Sequence, residues 1–165
     1  MANREELLNQ AREEFAFLRQ AGAHGPTTTE RGTLLTRVAW TFTSIVVELS
    51  FDWRDLVIDC YISRPENGRP PEGYLLHEGR RVRFRLSDLT PSVRAKFHPL
   101  VRPTRRRPDD WVATQVETMK ASLRIYAEII STELIELRTR AEDGFQATTT
   151  AASSPPTTVR ATDVR

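Results

Sequence analysis

The sequence predicts an α+β fold, in which an N-terminal helix and a long C-terminal helix cover an antiparallel meander sheet of three or four strands. Apolar residues recur at helical spacing near both ends of the chain and alternate with polar residues between them. With 165 residues, the chain has the length of one domain. We assign residues 1–144 to this domain and expect residues 145–165, rich in Thr, Ala, Ser and Pro, to be a disordered tail.

Residues 3–21 have the pattern of an amphipathic helix. The apolar residues at helical spacing are Leu7, Leu8, Ala11, Phe15 and Leu18. Gly22 and then Gly25-Pro26 predict its end. The Thr-containing residues 23–35 that follow are expected to form a polar loop.

Residues 37–62 carry the strongest strand signal. Two runs of alternating residues, 37–43 and 45–51, change phase at Thr43-Ser44, which predicts a turn between two strands because a strand has a strict two-residue period. Residues 56–62 predict a third strand, and short strands joined by short turns favour a meander. We expect these side chains to be buried, together with two from the last helix: Trp40, Phe42, Val47, Leu49, Ile58, Cys60, Leu123 and Ile130.

Residues 109–143 predict the longest helix, with Gly144 as its stop. Its apolar stripe would extend for roughly 50 Å at 1.5 Å per residue, which is longer than a four-stranded sheet is wide. The excess length is compatible with a bend in the helix or with its extension to a partner, and it allows self-association as a homodimer through this helix.

The net charge of +2 conceals a basic segment at residues 64–107. This segment holds eleven Arg and one Lys against four acidic residues, whereas the segments on either side are mildly acidic. Within it, residues 74–86 predict a fourth strand or a small hairpin, and residues 89–97 a short helix. Such a segment can attract an anionic partner, or it can pair with the acidic helices of its own fold.

Two groups of arginines in this segment are candidate anion- or partner-binding residues. The first would share one strand face, because guanidinium groups at alternate positions point the same way: Arg81, Arg83 and Arg85, extended by Arg80. The second is a Pro-flanked arm: Arg102, Arg105, Arg106 and Arg107. Guanidinium groups bind phosphate and carboxylate through two parallel hydrogen bonds. The alternatives are a solvated edge strand and a linker that meets Asp109 and Asp110.

No pattern predicts a catalytic residue, a cofactor or a metal site. Asp52 and Asp55 flank a turn, where they could hold a divalent cation, but bonding to their own backbone is favoured. The three histidines are scattered, and Cys60 falls on the apolar side of its strand. We therefore expect no enzyme. The longest aliphatic run, residues 45–47, is too short for a membrane span, and the N-terminus does not resemble a secretory signal, so we expect a cytoplasmic protein.

The order of these elements resembles that of small bacterial helix–meander–helix proteins, some of them similar to the immunity proteins of polymorphic toxin systems. The resemblance rests on the Phe15-Ala16-Phe17-Leu18 helix, the strand run from Val38 to Asp52 and the final helix that ends near Glu142. It covers roughly residues 5–63 and 110–145 and carries no functional residues.

The sequence thus favours a non-enzymatic protein-interaction module, immunity-like by resemblance, that binds a protein partner by surface complementarity. The alternative is a nucleic-acid-associated accessory protein that contacts the phosphate backbone through its arginines. The nucleic-acid interpretation gains if the two arginine groups converge on one open face. It fails if they pair with acidic residues of the helices.

Overall fold

The computed structural model describes residues 4–71, 76–77, 80–97 and 108–152. It confirms the α+β fold class, with an N-terminal helix, an antiparallel meander sheet and a long C-terminal helix. The elements in chain order are α1 (Arg4–Glu14), α2 (Phe17–Gln20), β1 (His24–Arg31), β2 (Leu35–Thr41), β3 (Val46–Asp52), β4 (Val57–Ser63), β5 (Leu76–His77), β6 (Arg80–Arg81), β7 (Arg83–Arg85), α3 (Leu86–Leu89), α4 (Pro91–Phe97) and α5 (Pro108–Ala152).

The main sheet has five strands in the order β1-β2-β3-β4-β7, one more than the predicted maximum. The additional strand is β1, which lies where we predicted a polar loop at residues 23–35. It pairs antiparallel with β2, from Thr27 opposite Ala39 to Arg31 opposite Leu35. The prediction was wrong because residues 27–31 are exposed on both faces of the sheet and therefore show no apolar alternation.

The turn predicted at Thr43-Ser44 is confirmed. The backbone N–H of Phe42 donates to the carbonyl oxygen of Ile45 at 2.8 Å, which closes the β2–β3 hairpin. The fourth-strand region divides into the β5–β6 hairpin and strand β7, and only β7 joins the main sheet. The predicted first helix is interrupted after Glu14 and resumes as α2.

The core lies between the helices and one face of the sheet. All eight side chains that we expected to be buried are buried. The ring of Phe15 stacks on Trp40 with 5.1 Å between centroids, which joins the N-terminal helical region to the sheet. On the other side, the hydroxyl of Tyr126 in α5 donates to the carbonyl oxygen of Ile58 at 3.3 Å.

Helix α5 continues through Gly144 to Ala152, so Gly144 is not the predicted stop and residues 145–152 are helical. The reason is tertiary packing. Phe145 is buried with its ring 5.3 Å from that of Phe84, and a Cβ on Gly144 would lie 2.7 Å from Cζ of Phe84. The absence of a side chain at Gly144 thus makes room for the Phe84–Phe145 pair. The burial of these two rings outweighs the low helix propensity of glycine. Residues 153–165 of the predicted tail lie outside the described residues.

We expect Gly25→Ala to lower the free energy of unfolding by about 3 kcal/mol or more. Gly25 has φ +111°, and a Cβ there would lie 2.8 Å from the carbonyl oxygen of Ala39 on the adjacent strand. Urea denaturation followed by circular dichroism measures the effect. Gly22→Ala is the matched control, because Gly22 has φ +95° with no atom near its Cβ position. It should cost about 1–2 kcal/mol through backbone strain alone. Equal losses in the two variants would contradict the predicted clash.

Candidate functional site

The sheet face opposite the helices carries the polar side chains of the central strands. Ser63 lies opposite Arg83 across β4 and β7, and Glu48 of β3 lies between Ala39 of β2 and Tyr61 of β4. Since side chains alternate between faces along a strand, the apolar residues on either side of Glu48 enter the core while Glu48 points away from it. We call this surface the polar face.

Glu48 is the centre of the polar face and is completely buried, with 0% of its surface exposed. Its Oε1 accepts a hydrogen bond from Nη2 of Arg83 and lies 3.4 Å from Nε of Arg37. The side chains of these two arginines are 6% and 11% exposed, respectively. One carboxylate is thus held between two guanidinium groups from strands on either side of it. We call these three residues the charge cluster.

Tyr61 and Arg85 extend the charge cluster toward the β7 edge. The guanidinium carbon of Arg83 lies 3.6 Å from the centroid of the Tyr61 ring, a distance typical of a cation–π contact. A hydrogen bond to Tyr61 raises the pKa of Arg85, and burial raises the pKa of Tyr61. These contacts fix the orientation of Arg83 beside Glu48.

Burial shifts the pKa values in the charge cluster. It raises the pKa of Glu48 above its ordinary value, while Arg83 and then Arg37 act in the opposite direction. Burial also lowers the pKa of Arg37, against the attraction of Glu48. Among the described residues, neither Oε2 of Glu48 nor Nε of Arg37 has a hydrogen-bond partner.

Residues 64–71 lie beside the polar face. The backbone N–H of Arg64 donates to the carbonyl oxygen of Val82. Glu66 and Arg69 exchange two backbone hydrogen bonds, which close a turn. Pro71 is buried. The segment thereby forms one wall of a pocket of about 320 Å³, whose other walls come from β1, β2 and β3.

The pocket contains more positive than negative side chains. Its charged lining residues are Arg31 from β1, Arg37 from β2, Arg69 from the loop and Glu48 from β3. The remaining lining residues are small or uncharged: Thr27, Thr29, Ala39, Pro70 and Pro71. Three guanidinium groups beside one buried carboxylate make this pocket suitable for an anion.

The predicted arginine row lies partly in this region. Arg83 and Arg85 share one face of β7, as predicted, since they pair with Ser63 and Tyr61 respectively. Arg83, however, is buried on Glu48 rather than exposed, and its acidic partner belongs to the sheet rather than to a helix. Arg85 is exposed. The side chains of Arg80 and Arg81 lie outside the described residues, as do Arg102, Arg105, Arg106 and Arg107.

The other candidate residues have structural roles where they are described. Oδ1 of Asp52 accepts hydrogen bonds from the backbone N–H groups of Arg54 and Asp55, at 2.9 and 3.2 Å, which confirms the favoured turn interpretation for Asp52. The carboxylate of Asp55 instead pairs with the guanidinium group of Arg54. Cys60 is buried, and burial raises the pKa of its thiol. Within the described residues, no group of three or more His, Cys, Asp or Glu side chains could hold a metal ion, and no helix is long and apolar enough to cross a membrane.

Sequence reasoning did not identify Arg31, Arg37, Glu48 or Arg69 as site residues. The sequence carried no signal for the burial of Glu48, because its position in the alternating run 45–51 is that of an outward-facing polar residue.

The chain matches none of the protein-family models, curated proteins or solved structures with which it was compared. The resemblance to immunity proteins therefore stays a prediction, and so does self-association through α5. The function has to be argued from the polar face, the pocket and the sheet edge.

We expect Glu48→Gln to lower the free energy of unfolding by about 3 kcal/mol or more, because it leaves two buried guanidinium groups without their counter-charge. Chemical denaturation of the purified protein measures the loss. Asp55→Asn is the control, since Asp55 forms an exposed ion pair with Arg54 and its loss should leave stability nearly unchanged. If both variants were as stable as the wild type, the charge cluster would not stabilise the fold.

Proposed function

We propose that this chain is a non-enzymatic protein-interaction module that binds an extended acidic segment of a partner protein along strand β1. One observation carries the proposal: β1 is an edge strand with arginines on both of its faces. The resemblance to immunity proteins agrees with a function that consists of binding a partner. We also propose that the protein is cytoplasmic.

The outer edge of β1 is available for pairing. Strand β1 has eight residues and occupies the end of the five-stranded order, and within the described part of the chain no strand pairs with its outer side. Residues 27–31 are exposed. An edge strand presents a row of backbone N–H and C=O groups, to which an extended segment can add as a further strand.

The charges around β1 favour an acidic segment. On the helix side, Nη2 of Arg12 donates to Oγ1 of Thr28 at 3.3 Å. On the polar face, Arg31 and Arg37 line the pocket below the strand, and Arg69 joins them from the loop. Glu30 is the one acidic residue of β1 itself. An extended segment with carboxylates at successive positions would thus meet a cation on either side of the sheet.

The polarity of β1 argues against an apolar partner. Thr27, Thr28 and Thr29 give the strand hydroxyl groups on both faces and no large apolar side chain. An added strand would gain its affinity from main-chain hydrogen bonds and charge pairs rather than from apolar burial. Binding through main-chain hydrogen bonds and charge pairs is what we expect of a protein-interaction module.

The nucleic-acid alternative rests on the net charge of residues 64–107. One of its arginines, Arg83, is committed to Glu48 inside the fold, which removes it from any phosphate contact. The alternative predicts binding to short DNA or RNA duplexes and single strands with a steep loss of affinity as salt rises. Absence of such binding at low salt is expected under our proposal.

Selection from a displayed library of random twelve-residue peptides tests the proposal. We expect the wild-type protein to enrich sequences rich in Asp and Glu. Thr28→Glu should weaken binding of a selected peptide about threefold or more, because the introduced carboxylate would pair with Arg12 and repel the carboxylates of the peptide. This magnitude follows from cross-strand charge pairs, which contribute roughly 0.2–1 kcal/mol each. Thr28→Lys should maintain or strengthen binding. Fluorescence anisotropy of the labelled peptide gives both dissociation constants.

Thr139→Glu is the matched control, because it makes the same chemical change at an exposed threonine of α5. It should leave the dissociation constant unchanged. A second probe is the same peptide with N-methyl groups at alternate positions, which removes main-chain donors on one side and should abolish strand addition. Enrichment of basic or purely apolar peptides, or equal effects of the two Thr→Glu variants, would refute the proposal.

A further inference from the structure

We infer that the pocket between β1 and residues 64–71 binds a small molecule with two or more oxyanion groups, either carboxylates or phosphates. This inference goes beyond the proposed function, with which it shares the pocket arginines, and it rests on a further observation, the buried carboxylate that holds Arg37 at the pocket. In this site Glu48 is a positioning residue, and the three pocket arginines contact the ligand.

The pocket has the size of a small-molecule site. Its volume of about 320 Å³ lies at the lower end of the range of roughly 300–1,000 Å³ that is typical of ligand pockets. Its walls come from three adjacent strands and one loop, so the arginines converge from different directions on one space. A molecule with one charged group would contact only some of the three guanidinium groups, whereas a molecule with several charged groups would contact more of them.

The buried member of the set is fixed before any ligand arrives. Glu48 lies 3.4 Å from Nε of Arg37, and Arg83 holds the same carboxylate from the other side. The side chain of Arg37 therefore loses little conformational freedom on binding an anion, and a preorganised guanidinium binds more tightly than a mobile one. Arg31 and Arg69 are exposed and line the same pocket.

The charge balance decides the class of ligand. Arg37 and Arg83 together exceed the charge of Glu48 by one positive charge, and Arg31 and Arg69 each add another at the pocket. Each guanidinium can donate two parallel hydrogen bonds to one carboxylate or phosphate group. A ligand with two or three such groups therefore matches the pocket better than a ligand with one.

Isothermal titration calorimetry at constant ionic strength tests this inference with two series of probes. The first series is acetate, glutarate and citrate, and the second is inorganic phosphate and pyrophosphate. We expect affinity to rise along each series, with citrate or pyrophosphate binding about tenfold or more tightly than the first member, since hydrogen bonds between charged groups are strong. The series that binds more tightly identifies the oxyanion. Equal dissociation constants for all probes, or no saturable binding of any of them, would overturn the inference.

Arg69→Ala removes a rim cation without disturbing a buried group. It should weaken citrate and pyrophosphate about tenfold and reduce the difference between these probes and their singly charged analogues. Arg54→Ala is the control, since it changes the net charge equally at an exposed residue of the β3–β4 turn. If the two variants bound equally well, the anion would be attracted by net charge rather than held by the pocket.

Glu48→Gln tests the positioning role by a readout that stability alone would not change. If Glu48 orients Arg37, the variant should lose affinity for citrate and pyrophosphate under conditions where circular dichroism shows that it remains folded. If Glu48 only stabilises the fold, the melting temperature falls while the dissociation constants stay at the wild-type values, and the positioning role is excluded. Thr28→Glu should leave the anion affinities unchanged, so failure of the proposed strand addition is distinguishable from failure of this site.

Discussion

A single buried carboxylate determines how the two faces of the sheet differ. Glu48 sits in the central strand with none of its surface exposed, so it must be compensated from within the fold. Arg37 and Arg83 provide that compensation from strands on either side. The pairing of β2, β3, β4 and β7 in this register is therefore required by charge as well as by apolar burial. A slip of one residue would move Glu48 into the core and Val47 onto the polar face.

The charge cluster also explains why the polar face is covered. A sheet with one core face normally exposes its other face to water, where polar residues need no partners. Here the face carries buried groups, and residues 64–71 pass beside it with Pro71 buried. The loop thus shields the cluster while Arg69 adds a further positive charge at the pocket rim. The same arrangement that stabilises Glu48 leaves guanidinium groups oriented toward a small space.

The fold class could be predicted from the sequence because the core elements have clear apolar periods. Trp40, Val47 and Ile58 mark the core face of three strands, and the phase change at Thr43-Ser44 locates a hairpin. Strand β1 could not be predicted in this way, since pairing with β2 rather than apolar burial makes it a strand. The end of α5 depends on contact between Phe84 and Phe145, which lie far apart in the chain. The pocket could not be predicted from the sequence either, because Arg31, Arg37 and Arg69 come from three separate segments. Only the folded arrangement of β1, β2 and the loop at residues 64–71 brings them together.

The composition of β1 decides what its edge can bind. Edge strands attract other strands indiscriminately when they are flat and apolar, and proteins avoid this with proline, bulges and charge. Strand β1 carries Pro26, which lacks an N–H, and its pairing with β2 shifts register between His24 and Thr27. These features restrict pairing near its start and leave residues 27–31 as the regular segment. That segment offers hydroxyl groups and neighbouring arginines rather than apolar surface, so an apolar strand would gain little by adding there. A strand whose carboxylates reach Arg12 on one face and the pocket arginines on the other would gain on both, and selectivity at this edge therefore arises from charge.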